Sequence, residues 1–261
     1  MEGDSKTPLI DMRGLSKSFA RRAMLARRSF SLQGIDIAVN RGEVVGLLGE
    51  SGSGKSTTAG IMTLLTPFDA GTYLFKGQDV KTFDRARRFA FKSKVQIVFQ
   101  DPYGSLNPRA AVREIVGEGL HLHQRSLDAT AREARLRALM DEVGLPATSL
   151  DRYPRAFSGG QRQRIAIARA LAVGPEVLVC DEPLSSLDVS IQAQILELFA
   201  RLIRDHNLTM VLITHDIHVA RLLCDRVYVM HDGRIVEHGP AETILTVPQE
   251  DYTRRLLAAA Y

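Results

Sequence analysis

Residues 49–57 read GESGSGKST and match G-x-x-x-x-G-K-[S/T], with Gly49, Gly54, Lys55 and Ser56 in the required places. Such a stretch suits the gripping of a triphosphate. Gly52 and Gly54 let the backbone turn so tightly that successive N–H groups of the loop, from Glu50 and Ser51 through Ser53, point inward at phosphate oxygens. Lys55 sets a compact positive charge against the β- and γ-phosphates. The Ser56 hydroxyl suits Mg²⁺, and that of Thr57 suits the α-phosphate. The helix expected to open near Ser56 adds the positive end of its dipole.

Two further stretches bear on the same chemistry. Residues 177–182, VLVCDE, are an apolar run ending in two carboxylates. In open parallel sheets ligands gather at the carboxyl ends of strands. There Asp181 would orient Mg²⁺, and Glu182, directed differently, would polarise an attacking water. An apolar run followed by two acids is weak evidence alone and gains its meaning from the phosphate loop. Residues 157–164, FSGGQRQR, precede an amphipathic pattern over 161–172. Ser158 can cap that helix, and Gly159 and Gly160 expose backbone N–H groups at its start, a second anion-binding end. The plainer reading of this stretch is an ordinary capped helix.

The elements that must carry these residues show as short β-branched runs alternating with helical patterns. Residues 44–48, 95–99, 177–180, 210–213 and 227–230 read as buried strands. Residues 56–65, 161–172 and 190–204 read as helices, the last with Ile191, Ile195, Leu198 and Leu202 on one stripe. Strand then helix, repeated, argues for an α/β fold with a mainly parallel sheet. Residues 33–43 and 71–80 fit a small antiparallel layer. From about 108 to 156 no strand is legible, and Leu136, Leu139, Met140 and Val143 recur at helical spacing, which predicts an inserted helical subdomain.

Composition narrows the class. Of 261 residues, 45% are apolar and 25% charged, which excludes disordered, collagen-like and coiled-coil chains. A net charge of +4 is too mild for a nucleic-acid binder. With 10 Phe, 6 Tyr and no Trp, a stacking platform is disfavoured. Cys180 and Cys224 are too few for a disulfide framework or a four-thiolate metal site, and are expected to be small buried residues in a reducing compartment. His121 and His123 lack Cys or acidic companions for a metal. The N-terminus has no apolar stretch of signal-peptide length, and no run approaches the roughly 20 residues of a spanning helix. The chain is therefore expected to be soluble, to stay on the side where it was made, and to reach any membrane through another protein. Arg21, Arg22, Arg27 and Arg28 read as a solvated loop, with head-group or phosphate contact as the alternative.

Taken in order, GESGSGKST, Gln100, FSGGQ, VLVCDE, SSLD ending at Asp188 and THD containing His215 resemble the ATP-binding subunit of an ATP-binding cassette (ABC) transporter. The resemblance runs from about residue 8 to 257. It implies a P-loop NTPase core with an N-terminal antiparallel β layer, the whole chain forming one nucleotide-binding domain. Residues 1–100 and 161–261 would be a RecA-like core and 101–160 the helical subdomain. It implies ATP and Mg²⁺, and two such domains facing head to tail. Each ATP would lie between the phosphate loop of one domain and the SGGQ segment of the other. Gln100 would link Mg²⁺ and the attacking water to the helical subdomain. Ser158, Gly159, Gly160 and Gln161 would contact the γ-phosphate of the partner's ATP, and Asp188 would cross the interface. His215, by itself a surface or core histidine, would hydrogen-bond the γ-phosphate. Phe19 is the best match for an aromatic stacked on adenine, with Phe30 as its rival.

A narrower resemblance, to the peptide/nickel importer branch, rests on QDPYGSLNPR (100–109), SSLDVSIQAQIL (185–196) and the tail VPQEDYTRRLLAAA. It implies a second ATPase subunit, related or identical, two transmembrane permeases, an indirect solute-binding protein and a place on the cytoplasmic face of the inner membrane. Nucleic acid is not expected as a partner. Phe157, Leu184 and Cys180 depart from the family pattern without removing a phosphate- or Mg²⁺-contacting group, so an active ATPase site is expected. The absence of cysteine after Cys224 argues against an iron–sulfur cluster. An importer of another solute, an exporter subunit, or a cassette ATPase acting on nucleic acid or ribosomes are the rival readings.

Overall fold

A computed structural model describes residues 7–19 and 31–259. The first elements are β1 (Ile10–Ser18), β2 (Ser31–Val39), β3 (Val44–Leu48), α1 (Lys55–Met62), β4 (Ala70–Phe75), β5 (Gln78–Asp79) and α2 (Arg85–Lys94). Then come β6 (Val95–Val98), α3 (Pro102–Ser105), α4 (Val112–His123), α5 (Ala129–Glu142), α6 (Gly159–Leu171), β7 (Val177–Asp181) and α7 (Val189–His206). The chain finishes with β8 (Thr209–Thr214), α8 (Ile217–Leu223), β9 (Arg226–His231), β10 (Arg234–Pro240), α9 (Ala241–Ile244) and α10 (Asp251–Ala258). These form two compact units, one running to Arg88 and resuming at Leu208, the other Phe89–Asn207.

In the first unit β3 lies between β8 and β9, parallel to both, and β10 pairs antiparallel with β9. Every residue of β3 and β8 is buried, as uniformly apolar strands require when both faces are covered. Gly46 interrupts the β3 run because the Cys224 sulfur packs there: a β-carbon at Gly46 would lie 2.9 Å from it. The antiparallel layer is a second sheet in the order β2-β1-β4-β5. α1 ends at Met62, short of the expected 65. Leu64 takes a left-handed φ of 57° while the Leu65 N–H turns back to the Gly60 carbonyl at 2.8 Å, closing the helix.

In the second unit β6 and β7 run parallel, and residues 99–176 between them hold helices and turns only. Leu136, Leu139, Met140 and Val143 are buried, as their spacing demands, and so are Ile165, Ala168 and Leu171 of α6. α7 buries Ile195, Leu198, Phe199 and Leu202, with Ile191 half-buried at the N-terminal end of the stripe. Both cysteines are free thiols. Burial and the neighbouring Asp181 push the Cys180 thiol up, and burial with Asp225 pushes Cys224 up to about 12. Neither is thereby a nucleophile at neutral pH. Among the described residues no helix is long and apolar enough to cross a membrane.

Candidate functional site

In the first unit, strand register does the positioning. Leu48 of β3 pairs with Thr214 of β8, so the next residues, Gly49 and His215, leave the two strands at the same level. Gly49 begins the GESGSGKST loop. His215, exposed, begins the turn into α8. Asp216 shapes that turn: its own N–H donates to Thr214 Oγ1 (2.9 Å), and its Oδ1 accepts from the N–H groups of His218 (2.8 Å) and Val219 (3.2 Å).

The loop takes conformations that glycine permits, with φ of 148° at Gly49, 84° at Gly52 and 114° at Gly54. Gly49 is also confined sterically, since a β-carbon there would lie 2.2 Å from the Met230 carbonyl oxygen. Lys55 is only 5% exposed. Its ammonium donates to the carbonyls of Gly49 (2.8 Å) and Glu50 (2.7 Å), and the Ser53 N–H donates to the same Glu50 carbonyl at 3.2 Å. A buried cation therefore sits inside the ring of the loop. The Ser53 hydroxyl is buried without a protein partner. A desolvated hydroxyl left unpaired costs roughly 1–3 kcal/mol. Lined up with a lysine, a helix start and glycine-shaped amides, it fits a site built for phosphate oxygens. Ser56 is exposed and Thr57 half-buried at the first turn of α1.

Phe19 follows β1 and is 41% exposed, with the Lys17 ammonium 5.6 Å from its ring centroid. Asp69 pins this strand end, accepting from the Ser18 N–H (2.8 Å) and from Lys17 Nζ (3.0 Å). These donors, the Ser18 amide foremost, hold the Asp69 carboxyl down at about 2. Phe30 lies outside the described residues, as do Arg21, Arg22, Arg27 and Arg28.

The second unit repeats the register device. Val98 of β6 pairs with Cys180 of β7, so Gln100 and Glu182, each two residues on, emerge level. Gln100 Nε2 donates to Glu182 Oε2 (3.3 Å) and to Ser185 Oγ (3.2 Å), while Ser185 Oγ donates to the Glu182 carbonyl (3.1 Å). Ser185 carries no role in the sequence reading, although it stands in the SSLD segment one turn past Glu182. Glu182 is half-buried and left-handed, with φ 45°, a conformation costing roughly 1–2 kcal/mol in a residue with a β-carbon. Asp181, the last residue of β7, is 8% exposed. Among the described residues no group of three or more His, Cys, Asp or Glu is arranged to hold a metal. Mg²⁺ bound through substrate phosphates keeps its waters and takes only one or two carboxylates. The donor types of Ser56, Gln100 and Asp181 suit that mode.

The SGGQ segment starts α6 with a reciprocal cap. Ser158 Oγ accepts the Gln161 N–H (3.3 Å), and Gln161 Oε1 accepts the Ser158 N–H (3.1 Å). Both side chains thus shape the helix start, where Gly159 and Gly160 contribute first-turn N–H groups and the dipole favours an anion. Gly160 meets α7: a β-carbon there would lie 2.3 Å from Ile191 Cγ2, whereas one at Gly159 would reach only Leu187 at 3.5 Å. Gly160→Ala is expected to cost about 1–3 kcal/mol by overpacking, a drop of several degrees in the thermal midpoint. Gly159→Ala is expected to leave the midpoint nearly unmoved; equal midpoints for the two variants would refute this account. Arg162 stacks on exposed Tyr103 at 3.9 Å, and Arg169 Nη1 donates to the Ser105 carbonyl at 2.6 Å, so α6 holds the QDPYGSLNPR segment. Asp188 is exposed at the N-cap of α7, with no side-chain cap bond.

Comparison with known proteins identifies the family. The family model described as ABC transporter matches residues 32–185. The ABC transporter ATP-binding protein YejF of Escherichia coli is 44% identical over 254 residues, covering 96% of this chain and 48% of that protein. The oligopeptide transport ATP-binding protein OppF of Lactococcus lactis is 43% identical over 229 residues, covering 88% of this chain and 72% of that protein. The chain thus spans about half the length of YejF. Among solved structures, the dimeric, post-hydrolysis ATP-binding cassette MJ0796 with ADP and Pi superposes with a TM-score of 0.78 at 26% identity, covering 89% of this chain and 98% of that one.

Proposed function

Because this chain belongs to the ABC transporter family, we propose that it is the ATP-hydrolysing subunit of an importer for a small solute, a peptide or a nickel or other metal chelate. The observation that carries the reading is the phosphate loop: a buried Lys55 ringed by loop carbonyls, Gly49, Gly52 and Gly54 at the positive φ that glycine favours, and an unpaired buried Ser53 hydroxyl. The resemblance of QDPYGSLNPR and the similarity to OppF support a peptide as the solute.

In this reading the loop amides, Lys55 and Thr57 bind the triphosphate, and His215 donates a hydrogen bond to the terminal phosphate. Glu182 orients and deprotonates the attacking water, steadied by the Gln100–Ser185 pair. Ser56, Asp181 and Gln100 would hold magnesium, which when bound would neutralise phosphoryl charge. Catalysis of this kind gains mainly from positioning and charge neutralisation. Phe19 stacks on adenine. Ser158, Gly159, Gly160, Gln161 and Asp188 serve the nucleotide held by a second ATPase subunit, related or identical. Two permeases and, through them, a solute-binding protein complete the assembly, with the chain on the cytoplasmic face of the membrane. A cavity of about 730 Å³ lined by Ser105, Asn107, Arg113, Leu122 and Arg169 adjoins the QDPYGSLNPR segment. It supports permease docking there.

The test is reconstitution with the neighbouring permeases and binding protein in vesicles. Mg-ATP hydrolysis stimulated by peptide-loaded binding protein is expected. Stimulation by a nickel chelate alone would move the substrate to the metal side of the branch. Hydrolysis indifferent to every permease tried would refute the transport reading.

A further inference from the structure

The tail VPQEDYTRRLLAAA has no part in the chemistry above, yet it reaches the phosphate loop. α10 seats Tyr252 and Leu257 in a buried cluster with Leu48, Ile217, Val229 and Ile244. From that seat the Tyr252 hydroxyl accepts the Glu50 N–H at 3.2 Å, across 202 positions of sequence. Its ring stacks on His231, centroids 3.9 Å apart and planes 24° from parallel. Burial pushes the phenol above its ordinary value, so it is neutral around pH 7.

His231 closes β9, and the next two residues form a tight turn with left-handed φ at Asp232 (45°) and Gly233 (76°). The Gly233 N–H donates to the Ser53 carbonyl at 3.0 Å. The Met230 carbonyl is the group that forbids a β-carbon at Gly49. Loop residues 50 and 53 are therefore hydrogen-bonded to α10 and to the turn after β9, and Gly49 lies close against the end of β9. A loop ordered before its ligand arrives spends less of the binding energy on ordering.

We propose that Tyr252 is a positioning residue of the phosphate loop, fixing the Glu50 peptide so that the loop is shaped for triphosphate before nucleotide binds. The inference rests on the ATP-binding reading. The test titrates Mg-ADP into the full chain by calorimetry and follows amide exchange of the peptide containing Glu50. Tyr252→Phe keeps the ring and removes the acceptor. It is expected to raise Kd roughly three- to ten-fold, the range of one neutral hydrogen bond, and to speed exchange in the loop while β8 stays protected. Leu257→Ala, on the same helix, is expected to lower the thermal midpoint more and to leave Kd unchanged. A Tyr252→Phe chain that binds and exchanges like wild type overturns the inference, as does equal weakening by both variants. A wild-type chain that binds no Mg-ADP overturns the ATP reading itself, and this inference with it.

Discussion

Glu182→Gln is expected to bind Mg-ATP as tightly as wild type and to hydrolyse it about a hundred- to ten-thousand-fold more slowly, the usual worth of a positioned general base. The substitution preserves shape. Gln100 Nε2 now meets Glu182 Oε2 at 3.3 Å, and a glutamine carbonyl oxygen can accept the same bond. The left-handed backbone at 182 is common to both residues, so the fold gives no reason for a stability change. What disappears is the ability to take a proton from water. Phosphate release in a single turnover, measured beside nucleotide affinity, separates the two effects. Turnover within threefold of wild type in the reconstituted complex would remove Glu182 from the base role and direct attention to His215.

Lys55→Ala is expected to weaken Mg-ATP binding by about a hundred-fold, since each hydrogen bond from a charged group is worth roughly 1.5–3 kcal/mol. Two losses combine. The ammonium no longer meets phosphate, and the carbonyls of Gly49 and Glu50, which it spans at 2.8 and 2.7 Å, lose their shared donor. The loop should then relax even without ligand. Lys55→Arg is not a conservative replacement at a position this buried, because a planar fork cannot substitute for a point charge aimed at two carbonyls. Calorimetry decides, and unaltered affinity in Lys55→Ala would count against the assigned site.

Much of this architecture is legible in the residues. β3 and β8 read as buried strands because their interiors, 44–48 and 210–213, carry no polar side chain, and their ends coincide with the loop and the histidine. The GESGSGKST glycines announce their own backbone: all three adopt positive φ. The helical stretch between β6 and β7 is legible from Leu136, Leu139 and Met140. Partners far apart in sequence are not legible. The Glu50–Tyr252 bond depends on where α10 docks, which no local pattern encodes, and Ser185 gains its role only when parallel register brings Gln100 level with Glu182. The end of α1 is not legible for a different reason: Leu64 takes an angle that leucine rarely adopts.

The left-handed Glu182 has an evolutionary corollary. Glycine or asparagine would occupy that backbone with less strain, so selection for heat resistance alone pulls position 182 away from glutamate. On the base role proposed above, the demand for turnover is what keeps a carboxylate there. Among laboratory lineages bred for thermotolerance without uptake, this is the position at which the chain would trade its work for durability.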